Sequence, residues 1–340
     1  MNSTTGVIRD AAAGAARERA GADETAVGRL VSLLGGDLEL YRFAVADLTE
    51  RYGDAYLADA EFTVARLEEF AARHGHSLAH VLRVYVEFAE QAVREAREFA
   101  RTGRYRHSSE EEIEHVVGAE QFQLEYLYVL TLSTPLNRSR YEVSRHFREA
   151  VRRGLAPGAR CLEIGGGNCL DALFLSGYGP VAVYEKNPKS LVWHELLGLG
   201  GKVDLKIEYY AFDGRADYDF VSMIELLEHV SDPAAYLRGA HRVLADDGCA
   251  YLTFAVRMPQ LDHLYQFDSV EECRQLAEAA GFRVVEDYCT INTHQPFAEG
   301  ERWAMAADPK YAVTYCCLVR KQTGREAAAL IEDFNDDLEL

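Results

Sequence analysis

The chain has 340 residues, 48% of them hydrophobic, and a formal net charge of −19. That length allows two domains and a sizeable core, and no apolar run reaches the roughly 18 residues of a membrane span. The acidity repels phosphate backbones, and no basic patch with interleaved aromatics stands against it, which removes nucleic acid and membrane as expected partners.

Residues 1–25 lack the basic cluster, apolar core and cleavage site of a secretory signal. They read as a flexible N-terminus, and the cytoplasm is the expected location. Residues 26–152 carry helical periodicity almost throughout, as in Phe62 to Phe70 with apolar positions three and four apart. Gly35-Gly36, Gly75 and Gly103 divide this stretch into about five or six helices, and Pro135-Leu136-Asn137 ends one helix before the next starts near Ser139. An all-α N-terminal domain is therefore expected over 26–152.

From Pro157-Gly158 onward, strands alternate with helices, the pattern of a parallel sheet covered on both faces. Strands are predicted at 160–164, 181–185, 203–208, 219–224, 249–255, 282–290 and 312–320. A helix is predicted over Ala235 to Leu244 and a turn at Asp246-Asp247-Gly248. Residues 322–340 read as an acidic tail, with a helix over Glu326 to Phe334. The seven cysteines show no C-x-x-C spacing and read as small buried hydrophobes.

The most informative stretch is Arg160 to Leu170, an apolar strand with an acid, Glu163, running into Gly165-Gly166-Gly167. Glycines at 165 and 167 allow a tight turn and close approach of a ligand to the main chain. A dinucleotide fingerprint would place its third glycine at 170, which is Leu, and would not want a carboxylate at the turn. A second apolar strand, Val181 to Glu185, ends in a carboxylate placed to grip ribose hydroxyls.

With the fourth strand and its sequel, Tyr218 to Pro233, and with Ala279-Ala280-Gly281-Phe282 before the sixth strand, residues 145–320 resemble the class I S-adenosylmethionine-dependent methyltransferases of small-molecule type. One departure is Cys169, where the family motif has its third glycine. The resemblance implies a Rossmann-like, seven-stranded, mostly parallel sheet over 153–321 with an antiparallel last strand, S-adenosyl-L-methionine as co-substrate, and the N-terminal helices as a lid. It implies cofactor contacts from Glu163, Gly165, Gly167, Glu185 and Glu225. Asp213 would meet the adenine amino group, and Arg140 or Arg138 the methionine carboxylate.

Glu225, Glu228 and His229 are spaced to share one face of a helical turn, and His263 should return to the same sheet edge. Such a set could bind a divalent metal, but the same segment occurs in metal-free small-molecule methyltransferases, so no metal is expected. His229 and His263 are the candidate catalytic bases. Phe122, Tyr126 and Tyr128 are candidates for an acceptor pocket.

The expected function is methylation of a small molecule, a specialised metabolite with an oxygen acceptor preferred. An alternative keeps the cofactor but consumes its methionine arm, releasing methylthioadenosine, as in azetidine-carboxylate or nicotianamine synthases. A homodimer is left open.

Overall fold

The structure is a computed structural model, described here for residues 25–322 except 108, 213–216, 294 and 296. The expected N-terminal segment before Thr25, the acidic tail with its helix over Glu326 to Phe334, and Asp213 lie outside the described residues.

Among the described residues, six α-helices precede the sheet: α1 (Ala26–Leu33), α2 (Glu39–Arg73), α3 (Leu78–Thr102), α4 (Glu110–Val117), α5 (Glu120–Leu136) and α6 (Arg138–Gly154). Their ends follow local chemistry. Thr25, Ser77 and Ser109 cap α1, α3 and α4 through their hydroxyls, satisfying amides that have no intrahelical partner. Gly103 closes α3 in the left-handed region at φ 66°, which costs glycine little. Pro135 lies in the last turn of α5, and Asn137 then caps α6 by accepting from the Ser139 and Arg140 amides. Gly53, at φ 55°, breaks α2 within its length, a kink that the apolar periodicity does not announce.

The sheet contains β1 (Cys161–Ile164), β2 (Val181–Tyr184), β3 (Val203–Lys206), β4 (Tyr218–Met223), β5 (Leu244–Val256), β6 (Phe282–Ile291) and β7 (Val313–Lys321). Their order is β3-β2-β1-β4-β5-β7-β6. The first five strands are parallel, and β7 runs antiparallel between β5 and β6. The expected seven-stranded arrangement with an antiparallel last strand is therefore present. Helices α7 (Leu170–Leu175), α8 (Ser190–Leu196), α9 (Pro233–Val243), α10 (Val270–Ala279) and α11 (Arg302–Ala307) complete the fold.

Two expectations need correction. Asp246-Asp247-Gly248 does not separate a helix from a strand. It lies inside β5, where the register against β4 shifts between Tyr218 and Phe220, so the extra residues form an irregularity in a continuous strand. The third strand also stops at Lys206, short of the expected 208.

Three apolar clusters hold the molecule together. One fills the helical region around Tyr56, Phe70 and Tyr128, and takes in Trp193 of α8, whose ring stacks on Phe70 at 4.9 Å. The other two lie on the faces of the sheet. Val143, Phe147, Ala150 and Val151 of α6 belong to a sheet-face cluster, while Tyr141 of the same helix belongs to the helical cluster and Arg148 pairs with Asp59 of α2 at 2.7 Å. We propose that α6 joins the helical unit to the sheet unit, with the boundary near 152. The seven cysteines are buried and unpaired. Among the described residues, no helix is long and apolar enough to cross a membrane.

Candidate functional site

The parallel register brings the carboxyl ends of β1, β2 and β4 together, with Ile164 opposite both Tyr184 and Met223. A cavity of about 1040 Å³ lies over this edge, between the sheet and α3, α4 and α5.

Its first wall is made of backbone. Gly165 and Gly167 both adopt left-handed conformations, at φ 81° and 48°. A Cβ on Gly167 would stand 2.5 Å from Leu130 Cδ2, so the turn is closed from above by α5. Cys169 also has positive φ, at 57°, and caps α7. The residue that departs from the glycine motif thus keeps the backbone shape a glycine would have, at the strain such a residue carries there.

Glu185 locks this turn: its carboxylate accepts from the Gly167 amide at 2.7 Å and from the Asn187 amide at 2.8 Å. Asn187 in turn donates to the Gln123 carbonyl at 2.7 Å, and Asn168 donates to Thr131 at 3.0 Å. Both bonds tie the turn to α5. Glu163 is buried below the turn, 3% exposed, with Oε2 lacking a partner. Burial, and then the charges of Asp171 and Glu185, raise its carboxyl well above the usual range. It does not line the cavity, so its influence on a ligand passes through the turn.

The second wall is made of side chains. Glu225 sits at φ 51°, its amide donating to Thr253 Oγ1 at 2.6 Å. Only Leu227–His229 then forms a short 3₁₀ turn. Glu225, Glu228 and His229 consequently do not share a face of an α-helix, which corrects the spacing argument; a strained loop gathers them instead. Glu225 Oε2 pairs with Arg140 Nη1 at 2.5 Å, while its Oε1 has no partner. Arg140 is held against the site rather than on a solvated helix face, and Arg138 is buried against Glu142 at 2.8 Å.

Glu228 is 1% exposed and neither carboxylate oxygen has a partner. Burial first, then the charge of Glu225, raises its carboxyl to about 7. His229 approaches it, Nε2 to Oε1 at 4.0 Å, and is oriented through Nδ1 by the Asp262 carbonyl at 2.9 Å. The acidic neighbours Asp262 and Glu228 outweigh burial and raise the His229 value. His263 behaves oppositely: burial and the neighbouring His229 push it well below the ordinary histidine range. Its Nδ1 is buried without a partner, and its ring meets His229 edge-on at 4.8 Å. Glu228, His229 and His263 offer three donor atoms within 4.8 Å.

The third wall comes from the helical region. Phe122 and Tyr126 line the cavity and stack at 5.9 Å. Tyr128 does not: it is fully buried in the helical core and hydrogen-bonds with His76 at 2.9 Å. Periodicity places aromatics on helices but cannot say which face looks inward to a core and which toward a ligand. The contributions of Leu130 and Thr131 to the glycine turn were not anticipated, since nothing local marks an α5 residue as a partner of a turn that far along the chain.

Residues 136–287 match the family model described as a methyltransferase domain. Among curated relatives, the ubiquinone biosynthesis O-methyltransferase of Xanthomonas oryzae pv. oryzae is 31% identical over 108 residues, covering 30% of this chain and 45% of that protein. Its counterpart from Bordetella bronchiseptica is 32% identical over 113 residues, covering 32% and 47%. The chain thus spans about half the length of the curated relatives it matches. Among solved structures, an O-methyltransferase from neocarzinostatin biosynthesis aligns with a TM-score of 0.48 and 14% identity, covering 70% of each chain.

Proposed function

We propose, from the premise that this chain belongs to the class I S-adenosylmethionine-dependent methyltransferases, that it methylates an oxygen of a small molecule, with a specialised metabolite as the substrate class. The observation that carries the reading is the joining, in one cavity, of a backbone cradle built by Gly165 and Gly167 with buried polar atoms that lack partners, the Glu228 carboxylate and His263 Nδ1.

The residues present fit the nucleoside. The two left-handed glycines shape the turn, Gly167 against Leu130 and Gly165 against Leu226, and Glu185 stands at the end of β2, where a carboxylate takes ribose hydroxyls. Arg140 faces the methionine end and has a guanidinium able to bind a carboxylate. In this reading Arg140 exchanges part of its contact with Glu225, whose freed carboxylate receives the ammonium of the same arm. Glu163 packs below the turn, its Oε2 3.6 Å from the Cβ position of Gly166.

S-adenosylmethionine supplies the methyl group: the S–CH₃ bond breaks as the O–CH₃ bond forms, and the sulfonium becomes a thioether. The protein's share is alignment, exclusion of water and removal of the acceptor proton. His263 is the proton acceptor, because burial keeps it neutral at pH 7 and its Nδ1 is uncommitted. His229, oriented by Asp262, stands 4.0 Å from Glu228 and can donate a hydrogen bond to the reacting oxygen.

The first experiment is thermal melting with S-adenosylhomocysteine. A saturating ligand at about 100 times its Kd adds about 2.7 kcal/mol of stability, and Glu185→Ala should weaken that binding about tenfold or more by removing a charged acceptor. An unchanged affinity in Glu185→Ala would refute its ribose role, and no shift for the native protein would refute the cofactor assignment.

A further inference from the structure

Beyond the cofactor edge, the cavity is roofed by one face of α3. Tyr85, Ala89, Ala92 and Ala96 line it, at spacings of four, three and four residues that form a single stripe. The stripe is about 16 Å long at the helical rise of 1.5 Å per residue. Three of its four members stop at Cβ; Val86, Phe88 and Val93 of α3 add apolar surface beside the stripe, and Glu90 adds a carboxylate. The stacked pair Phe122 and Tyr126 stands at its side, and the buried Glu228 carboxylate and His263 Nδ1, both without partners, lie at the sheet edge below. At about 1040 Å³ the space lies at the upper end of ligand pockets, more than a nucleoside cofactor needs.

Charge narrows the occupant. The Lys and Arg side chains of the described lining are all committed: Arg140 to Glu225 at 2.5 Å, Lys186 to Glu114 at 2.5 Å, and Arg257 to the carbonyls of Tyr311, Asp268 and Ala306. Glu110 and Glu208 add negative charge around the same lining, while Glu90 and Glu114 face Arg94 and Lys186. Of the lining cations, Arg140 is assigned to the methionine carboxylate.

Resting on the methyltransferase reading, we propose that the acceptor is a flat, apolar phenol of more than one ring that carries no negative charge, lying under the alanine roof with its hydroxyl toward His263. Stacking against Phe122 and Tyr126 orients the rings, and the acidic lining turns away carboxylated analogues.

The test is calorimetric titration of the protein saturated with S-adenosylhomocysteine, using phenol, 4-phenylphenol and 4′-hydroxybiphenyl-4-carboxylate. Burial of the second ring should tighten 4-phenylphenol about 10- to 100-fold over phenol, and the carboxylate should return most of that gain. Ala92→Trp, which fills the roof, should abolish the gain while leaving S-adenosylhomocysteine affinity unchanged, which also shows the variant to be folded. Equal binding of phenol and 4-phenylphenol, tighter binding of the carboxylate, or full affinity in Ala92→Trp would overturn the proposal. If S-adenosylhomocysteine itself fails to bind, the methyltransferase reading falls, while 4-phenylphenol titrated alone still reports on the roof.

Discussion

The two edges of the cavity are built in opposite ways. Along β1 and β2 the ligand surface is main chain: two left-handed glycines and a carboxylate that holds the turn by accepting from its amides. Along β4 and β5 it is side chain: Glu225, Glu228, His229 and His263, gathered by a strained residue, a 3₁₀ turn and a loop after β5. The lining of the first edge is satisfied as it stands, Glu163 Oε2 lying without a partner below the turn and outside the cavity. The second is not, since both oxygens of Glu228, one of Glu225 and one nitrogen of His263 lack partners. Buried polar groups without partners cost stability, and sites that tolerate the cost are where chemistry is expected. A shared cofactor can be held by backbone, whereas an acceptor needs charges of adjustable protonation.

This division makes separable predictions. The largest effect should come from His263→Ala, which removes the proposed proton acceptor: kcat with a phenol that turns over should fall about 10²- to 10⁴-fold, with S-adenosylhomocysteine affinity retained. Equal losses in both would erase the distinction between the edges. Gly167→Val should do the reverse. Its branched side chain meets Leu130 and occupies a φ of 48° that β-branched residues rarely adopt, and a strain of order 1–3 kcal/mol predicts about 5- to 150-fold weaker cofactor binding by titration.

Smaller and pH-dependent is Glu228→Gln. The Glu228 carboxyl rises from 4.5 to about 7 in the folded protein, mainly through burial. The native state therefore binds its proton more tightly than the unfolded chain. Its favourable contribution is complete below pH 4.5 and lost as pH rises through 7. Glutamine, neutral throughout, should leave Tm nearly unchanged near pH 4.5 and raise it by a few degrees at pH 8; a pH-independent difference would contradict the assigned protonation. The smallest expected effect is that of a chelator. With no metal in the proposed reaction, activity should survive exhaustive treatment, and its loss with recovery on adding a divalent cation would make Glu228, His229 and His263 ligands instead.

The backbone edge was legible because its signals are local. A strand ending in Glu163, glycines at 165 and 167 and a second strand ending in Glu185 are contiguous patterns, and each has one physical use. The side-chain edge was legible only as a set of names. Glu225, Glu228, His229 and His263 were identified, but their spacing suggested an α-helical turn, and the left-handed Glu225 that replaces it has no sequence mark. The contacts of α5 with the glycine turn, through Leu130, Thr131 and Gln123, join residues far apart in the chain. Nothing in a single sequence pairs them. For the same reason Tyr128 was grouped with Phe122 and Tyr126 although it faces the helical core.

The most direct test of the account is to follow the fate of the cofactor. The protein is incubated with S-adenosylmethionine labelled in its methyl group, together with 4-phenylphenol and related uncharged phenols, and the nucleosides and ethers are identified by mass spectrometry against a Glu185→Ala control. The account predicts S-adenosylhomocysteine in step with labelled methyl ether. Methylthioadenosine above the control would mean that the methionine arm reacts in place of the methyl group, and unchanged cofactor with every phenol would remove the assigned acceptor class; either contradicts the account.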